Sequence, residues 1–359
     1  MSDAKKNTPD DEQLRLKYGA ALEKAEGGDP AAQLEVGRLL FEGVGVKRNR
    51  GEAAAWFEKG FRAYRKLAET GDADALFALA ECYDDGTGVF RDDEKATGLY
   101  RAAADAGHTG AAYRLGTRLA LGLGAPRDPA ASFSWYKTGA ERGDADSCRA
   151  LALALSRGEG CEPDPAAAFR WHKKAADGGS ALSCLDLARA LLTGGGIDRD
   201  IPGAVSYFTQ AYDLGVVSAA ADLGLFYYSA KGKDADDEKA SLWLARAVDA
   251  GETAAYLASA DLLRNGRGVA RDVRRANYLV HEAALDGNAE AQFELGRLYY
   301  EGIDIPADRE RGIRWWKESA YNGFPPARRR LVELGFTEAD WTDPDELYDD
   351  DNQFSLDED

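Results

Sequence analysis

Residues 287–302 read GNAEAQFELGRLYYEG. One period earlier, residues 251–266 read GETAAYLASADLLRNG, and residues 107–122 read GHTGAAYRLGTRLALG. The leading glycine recurs every 36 residues at Gly71, Gly107, Gly143, Gly179, Gly215, Gly251, Gly287 and Gly323. An earlier member, Gly28, stands 43 residues before Gly71. A fixed period in this range marks a chain built by stacking one supersecondary unit many times. The period therefore overrides the two or three domains that length alone would suggest.

Each unit can be numbered from its glycine. Position +4 is small (Ala75, Ala111, Ser147, Ala291) and +9 is small again (Gly37, Gly116, Ala152, Gly296). Position +8 is a branched aliphatic: Val36, Leu79, Leu115, Leu151, Leu187, Leu223, Leu295 and Leu331. Position +12 is large. Steps of four predict a helix, here termed A, whose small residues let a neighbour approach closely. A Gly-x-Gly pair follows at +15 and +17, as in Gly122/Gly124 and Gly266/Gly268, and ends the helix. An Asp such as Asp92, Asp128 or Asp272 then offers an N-cap to a second helix, B, with aromatics near +28. The predicted fold is all-α: a solenoid of about eight 36-residue helix-turn-helix repeats.

Departures from the pattern are few. Near Gly60 the first interval is seven residues too long, about two helical turns, so helix B there can lengthen without rotating its apolar face. Ser259 replaces the +8 aliphatic and is expected to bond a carbonyl one turn earlier. The turn at Lys231-Gly232-Lys233-Asp234 is highly charged, reading as a solvated turn or a protruding loop.

The ends differ from the body. Residues 1–12 are polar and are expected to be disordered. Residues 13–336 form the expected solenoid: a capping helix over 13–27, repeats over 28–322 and a capping helix over 323–336. Residues 337–359 hold eleven acids and no Lys or Arg. Without them the net charge of −18 falls to −7, so the strong charge belongs to this acidic tail and the body is a poor nucleic-acid partner. Trp341, Leu347, Tyr348 and Phe354 are interleaved with the acids. They read either as part of a solubilising segment or as a short motif that docks on a partner or on the chain's own groove. No apolar run reaches the length of a membrane span, and the first residues lack a hydrophobic leader, so the expectation is a cytoplasmic protein.

The segments AAQLEVGRLLFEGVGV, AEAQFELGRLYYEG and AAAFRWHKKAADGG resemble the Sel-one-like repeat (SLR) family, a relative of the tetratricopeptide repeats. The resemblance covers roughly residues 28–335 and implies a right-handed α/α superhelix acting as an adaptor or scaffold. By family analogy a bacterial regulatory or immunity protein that neutralises a partner is a second reading. Secreted members of the family carry a cysteine pair in each repeat. Here Cys82, Cys148, Cys161 and Cys184 do not recur in that way. The departure points away from an extracytoplasmic location and from the penicillin-binding activity of such members.

Catalytic chemistry finds little support. No glycine turn has the phosphate-loop pattern, no Cys-x-x-Cys or His-Glu-x-x-His occurs, and His108, His172 and His281 fall in different repeats. No enzyme activity and no cofactor are expected. The candidate surface is the stripe of helix A opposite its apolar side, at +3, +7, +10 and +14. In the middle of the chain this stripe carries Arg114, Arg157 and Arg189, beside Thr117, Leu121, Leu153, Asp186 and Leu225. It reads as a basic and apolar patch for an acidic-hydrophobic peptide, or as an ordinary solvated helix face.

Overall fold

The computed structural model describes residues 9–194 and 197–342. Among these residues the chain forms eighteen α-helices and no strand. It divides after Asp200 into two compact units. The first holds α1 (Pro9–Glu26), α2 (Pro30–Glu42), α3 (Arg50–Ala68), α4 (Ala73–Asp85), α5 (Asp93–Asp105), α6 (Thr109–Leu121), α7 (Pro129–Glu141), α8 (Ala145–Arg157), α9 (Pro165–Asp177) and α10 (Ala181–Thr193). The second holds α11 (Ile201–Asp213), α12 (Ser218–Ser229), α13 (Asp237–Asp249), α14 (Tyr256–Asn265), α15 (Val273–Leu285), α16 (Ala289–Glu301), α17 (Arg309–Tyr321) and α18 (Pro325–Glu333).

Helices A and B alternate as the period predicts. Each unit lacks a single central core. Instead a chain of small clusters joins neighbours, such as Ala80, Ala96, Tyr100, Leu115 and Leu119 in the first and Ala276, Leu279, Leu295, Leu298 and Trp315 in the second. Stacking of this kind gives each repeat contacts only with the next.

The glycine turns are more than helix stops. After α6, the Gly122 and Leu123 N–H groups both donate to the Arg118 carbonyl. The Asp128 N–H then donates to the Leu119 carbonyl at 2.9 Å, and the Asp128 carboxylate caps α7 through the Ala131 N–H. Gly124 sits at φ +65 with its Cα against the start of α5 in the preceding repeat. A Cβ there would overlap the Asp93 carbonyl oxygen. The same overlap would occur at Gly45 on Leu14, Gly88 on Phe57, Gly160 on Pro129 and Gly268 on Asp237. At these five positions the second glycine of the pair is thus a joint where one repeat's turn rests on the preceding helix.

Three expectations need correction. Helix α1 begins at Pro9 rather than residue 13, because a proline at the first helical position loses no hydrogen bond. The turn after Lys231 winds into a short 3-10 helix, Gly232–Asp234, with Lys231 and Gly232 exposed, in line with a solvated turn. The chain beyond residue 336 is not all tail. A 3-10 turn, Glu338–Trp341, closed by a Thr337–Asp340 capping box, places Trp341 against Trp316, Ala320, Ala327 and Leu331. The large apolar area of the indole outweighs the acids around it.

Ser259 makes no hydrogen bond through its hydroxyl, although it is buried. The turn before it is a 3-10 helix, Thr253–Ala255, and Ser259 lies in the first turn of α14. A cavity of about 240 Å³, lined by Ser259, Val248, Leu262 and Leu279, occupies the space a leucine fills in other repeats. Ser259→Leu is expected to raise stability by about 1–2 kcal/mol through apolar burial, seen as a higher midpoint in thermal unfolding.

The long helix α3 does accommodate the extra residues near Gly60, at 19 residues against 13 for α5 or α7. On this helix Phe61 is buried, edge-on to Tyr83.

One buried acid lies near the C-terminal cap. Glu318 on α17 receives a long hydrogen bond from Gln292 Nε2 at 3.4 Å, and burial pushes its carboxyl up to about 7. A carboxyl raised in the folded state favours the proton-bound form, so its contribution is complete below the unfolded value and is lost as pH rises through 7. Glu318→Gln should therefore raise the melting temperature at pH 8 and leave it nearly unchanged at pH 4.

Candidate functional site

Within each unit the stripe opposite the +8 residues forms a face on which successive A helices lie side by side. Contacts between repeats tie it together. Arg114 on α6 reaches Glu81 on α4 at 3.5 Å, Arg149 Nε on α8 donates to Asp186 on α10 at 3.1 Å, and the Tyr228 hydroxyl on α12 donates to Asp261 on α14 at 3.1 Å.

The expected patch is less basic than its sequence. Arg114 pairs with Glu81, and Arg157 lies 3.6 Å from Glu159 in the turn after α8. Thr117 shares a hydrogen bond with the Tyr136 hydroxyl at 3.2 Å. Leu121 is 64% exposed, and Arg189 is exposed on α10. Leu153 and Asp186 do come together, around a cavity of about 230 Å³ shared with Phe169 and His172. His172 is packed there, its Nδ1 3.8 Å from Asp186; burial holds its pKa below the usual value against the pull of that carboxylate. Leu225 belongs to the second unit. Trp341 is buried in the C-terminal cap and is not free to dock; Leu347, Tyr348 and Phe354 lie outside the described residues.

A larger groove, of about 630 Å³, crosses α12, α14 and α16 in the second unit. Leu225, Ala254, Leu257 and Val280 supply its apolar wall, and Tyr228, Asp261, Arg264, Glu290, Glu294 and Arg297 its polar one. At its centre lies α14, with ten residues against twelve in α12 and thirteen in α16; its N-cap, Ala255, makes no side-chain cap bond, as Val217 of α12 makes none. It also carries Arg264 at +13, a position held by Phe41, Asp84, Ala120, Ser156, Leu192, Tyr228 and Tyr300 elsewhere.

Two inward-facing arginines behave differently. Arg118 on α6 is 3% exposed and satisfied on every nitrogen. Its Nε donates to Thr97 Oγ1 at 2.7 Å, Nη1 to Asp84 at 2.6 Å, and Nη2 to the Asp93 carboxylate at 2.8 Å. Arg264 donates to the neutral Asn277 Oδ1 at 2.8 Å, while its buried Nε has no partner. Sequence reading missed this site. The signal available was an arginine at +13 facing an asparagine at +26, where other repeats have largely apolar or small residues.

Among the described residues no group of three or more His, Cys, Asp or Glu is placed to hold a metal ion, and no helix is long and apolar enough to cross a membrane.

Comparison with known proteins agrees with this architecture. No curated protein matches the sequence significantly. Among solved structures, a protective antigen present in uropathogenic Escherichia coli strains, displaying an SLR fold, superposes with a TM-score of 0.70 at 25% identity, covering 93% of this chain and 78% of that one. A Sel1 repeat protein from Oxalobacter formigenes gives 0.65 at 26% identity, covering 92% and 95%. An immunity protein from Pseudomonas aeruginosa gives only 0.35 at 19% identity over 54% of this chain and 74% of that one, too loose to bear on function. The Sel1 repeat profile matches residues 30–63, 73–108, 109–144, 145–180, 181–216, 217–252, 253–288 and 289–324. With its glycine joints, paired helices and eight matched units, the chain belongs to the Sel1 repeat family.

Proposed function

We propose that this protein is an adaptor or scaffold that holds a protein or peptide partner on the A-helix face, without catalysis of its own. The observation that carries the reading is the groove over α12, α14 and α16, which combines an open apolar wall with charged groups across three repeats. A mixed concave surface of this size suits recognition of an extended segment. Three helices at the usual spacing of 8–10 Å span roughly 20 Å, the length of about six extended residues. A cytoplasmic setting is part of the proposal; the four free cysteines, three of them buried, suit a reducing compartment.

The test is affinity capture with identification by mass spectrometry, repeated with Leu257→Asp in the groove wall. Loss of the main partner with an unchanged helical circular dichroism spectrum is the expected outcome; undiminished capture would remove the groove from consideration. In the same assay the triple variant Arg114→Glu, Arg157→Glu and Arg189→Glu probes the face of the first unit.

A further inference from the structure

The charges of the second-unit groove do not balance locally. Asp261 is engaged by Arg267 Nη1 at 3.1 Å, by the Tyr228 hydroxyl and by Asn265 Nδ2 at 2.8 Å. Glu294 is engaged by Arg297 at 2.8 Å, and Glu301 lies 3.6 Å from the same guanidinium. Arg264 has five N–H donors. Its one hydrogen bond goes to a neutral amide, its Nε is buried without a partner, and among the described residues no carboxylate forms an ion pair with it. Burial and then the nearby Arg297 guanidinium weaken its hold on its proton, and the Asp304, Glu294 and Asp261 carboxylates, none in ion-pair contact, only partly offset them. A partly buried guanidinium with no carboxylate in direct contact weakens the fold that carries it. Arg118 in the first unit shows the same chain providing a buried arginine with two carboxylates and a hydroxyl.

We propose that Arg264 is a carboxylate-binding residue: an extended peptide partner lies across α12, α14 and α16 and seats one Asp or Glu side chain on this guanidinium. The planar fork suits a two-oxygen acceptor, and Arg264 lines the groove that the peptide would fill. The apolar wall at Leu225, Leu257 and Val280 receives aliphatic or aromatic side chains next to that acid. This inference rests on the groove reading above and names the chemistry of its ligand.

The experiment uses the full chain and a displayed library of random linear decapeptides. Enriched sequences are expected to share one Asp or Glu beside apolar residues. Selected peptides are then synthesised with amidated C-termini, and their affinities measured by fluorescence anisotropy. Changing the peptide acid to its amide, or Arg264→Met in the protein, should each weaken binding roughly tenfold or more, as expected for a charge-assisted hydrogen bond. The two losses should not add, because they remove the same contact. Arg264→Met should keep or raise the melting temperature, since it removes an unpaired charge, and Arg264→Lys should retain part of the affinity. Enrichment without acids, or binding within about twofold of the parent in Arg264→Met, overturns the proposal. So does a gain in peptide affinity when residues 343–359 are deleted, which would make the chain's own acids the occupant. Sensitivity to Leu257→Asp with indifference to Arg264→Met removes the carboxylate and leaves the groove standing; indifference to both removes the groove as well.

Discussion

Arg118→Ala is expected to cost about 3 kcal/mol, the low end for breaking a buried ion pair, because Asp84 and Asp93 retain some access to water. Arg118 joins three segments. It holds Asp84 at the end of α4, Asp93 at the start of α5 through both carboxylate and carbonyl, and Thr97 one turn further along. Thr97 in turn donates to the Leu123 carbonyl at 2.8 Å, closing the network onto the turn after α6. The Arg118 guanidinium, and then Arg91, hold the Asp93 carboxyl below its usual value. Removing Arg118 leaves Asp84 without its ion-pair partner and Asp93 with only the exposed Arg91. Thermal unfolding should show a drop on the order of 10 °C. Adding Asp84→Asn to the same chain should recover part of the loss, and a melting temperature unchanged by Arg118→Ala would contradict the network.

Gly124→Ala is expected to be at least as damaging, at about 3 kcal/mol or more. Two costs combine. A left-handed backbone costs an L-residue roughly 1–2 kcal/mol, and the new methyl would collide with the Asp93 carbonyl of the preceding repeat. That oxygen belongs to main chain and cannot swing aside. Gly122→Ala is the control. It also has positive φ, at +74, but its Cβ would meet nothing closer than Arg127 Cβ at 3.4 Å, so only the conformational cost applies. Denaturant titration of both variants should rank Gly124→Ala well below Gly122→Ala. Equal losses would show that the second glycine serves the turn alone and not the joint.

The repeat plan was legible because it rests on local rules. Positions +8 and +15 act within one helix or one turn, and Asp128 caps the helix that follows it directly. Contacts between repeats were not legible, because their partners are separated in sequence by about one period. Arg114 looked free until Glu81 of the preceding repeat was placed beside it. Arg118 and Arg264 are both arginines late in an A helix. Only the presence of Asp84 and Asp93 around the first, and of Asn277 alone beside the second, separates a structural cation from an unpaired one. Pairing position +10 of each repeat with +7 of the next would have exposed the first of these contacts. Trp341 was misread for a related reason: composition reports the acids around it, whereas the indole is held by Trp316 and Leu331 on helices that precede the segment.

The joints at Gly45, Gly88, Gly124, Gly160 and Gly268 have a consequence for how such a chain can change. Each sets the seating of one repeat through main-chain atoms, so the stacking is largely indifferent to the side chains displayed along the A helices. A library randomised at +3, +7 and +14 but sparing the glycines, the +8 aliphatics and the joint arginines should remain helical across most of its members. Recognition can then drift, or be selected in the laboratory, one repeat at a time without renegotiating the scaffold.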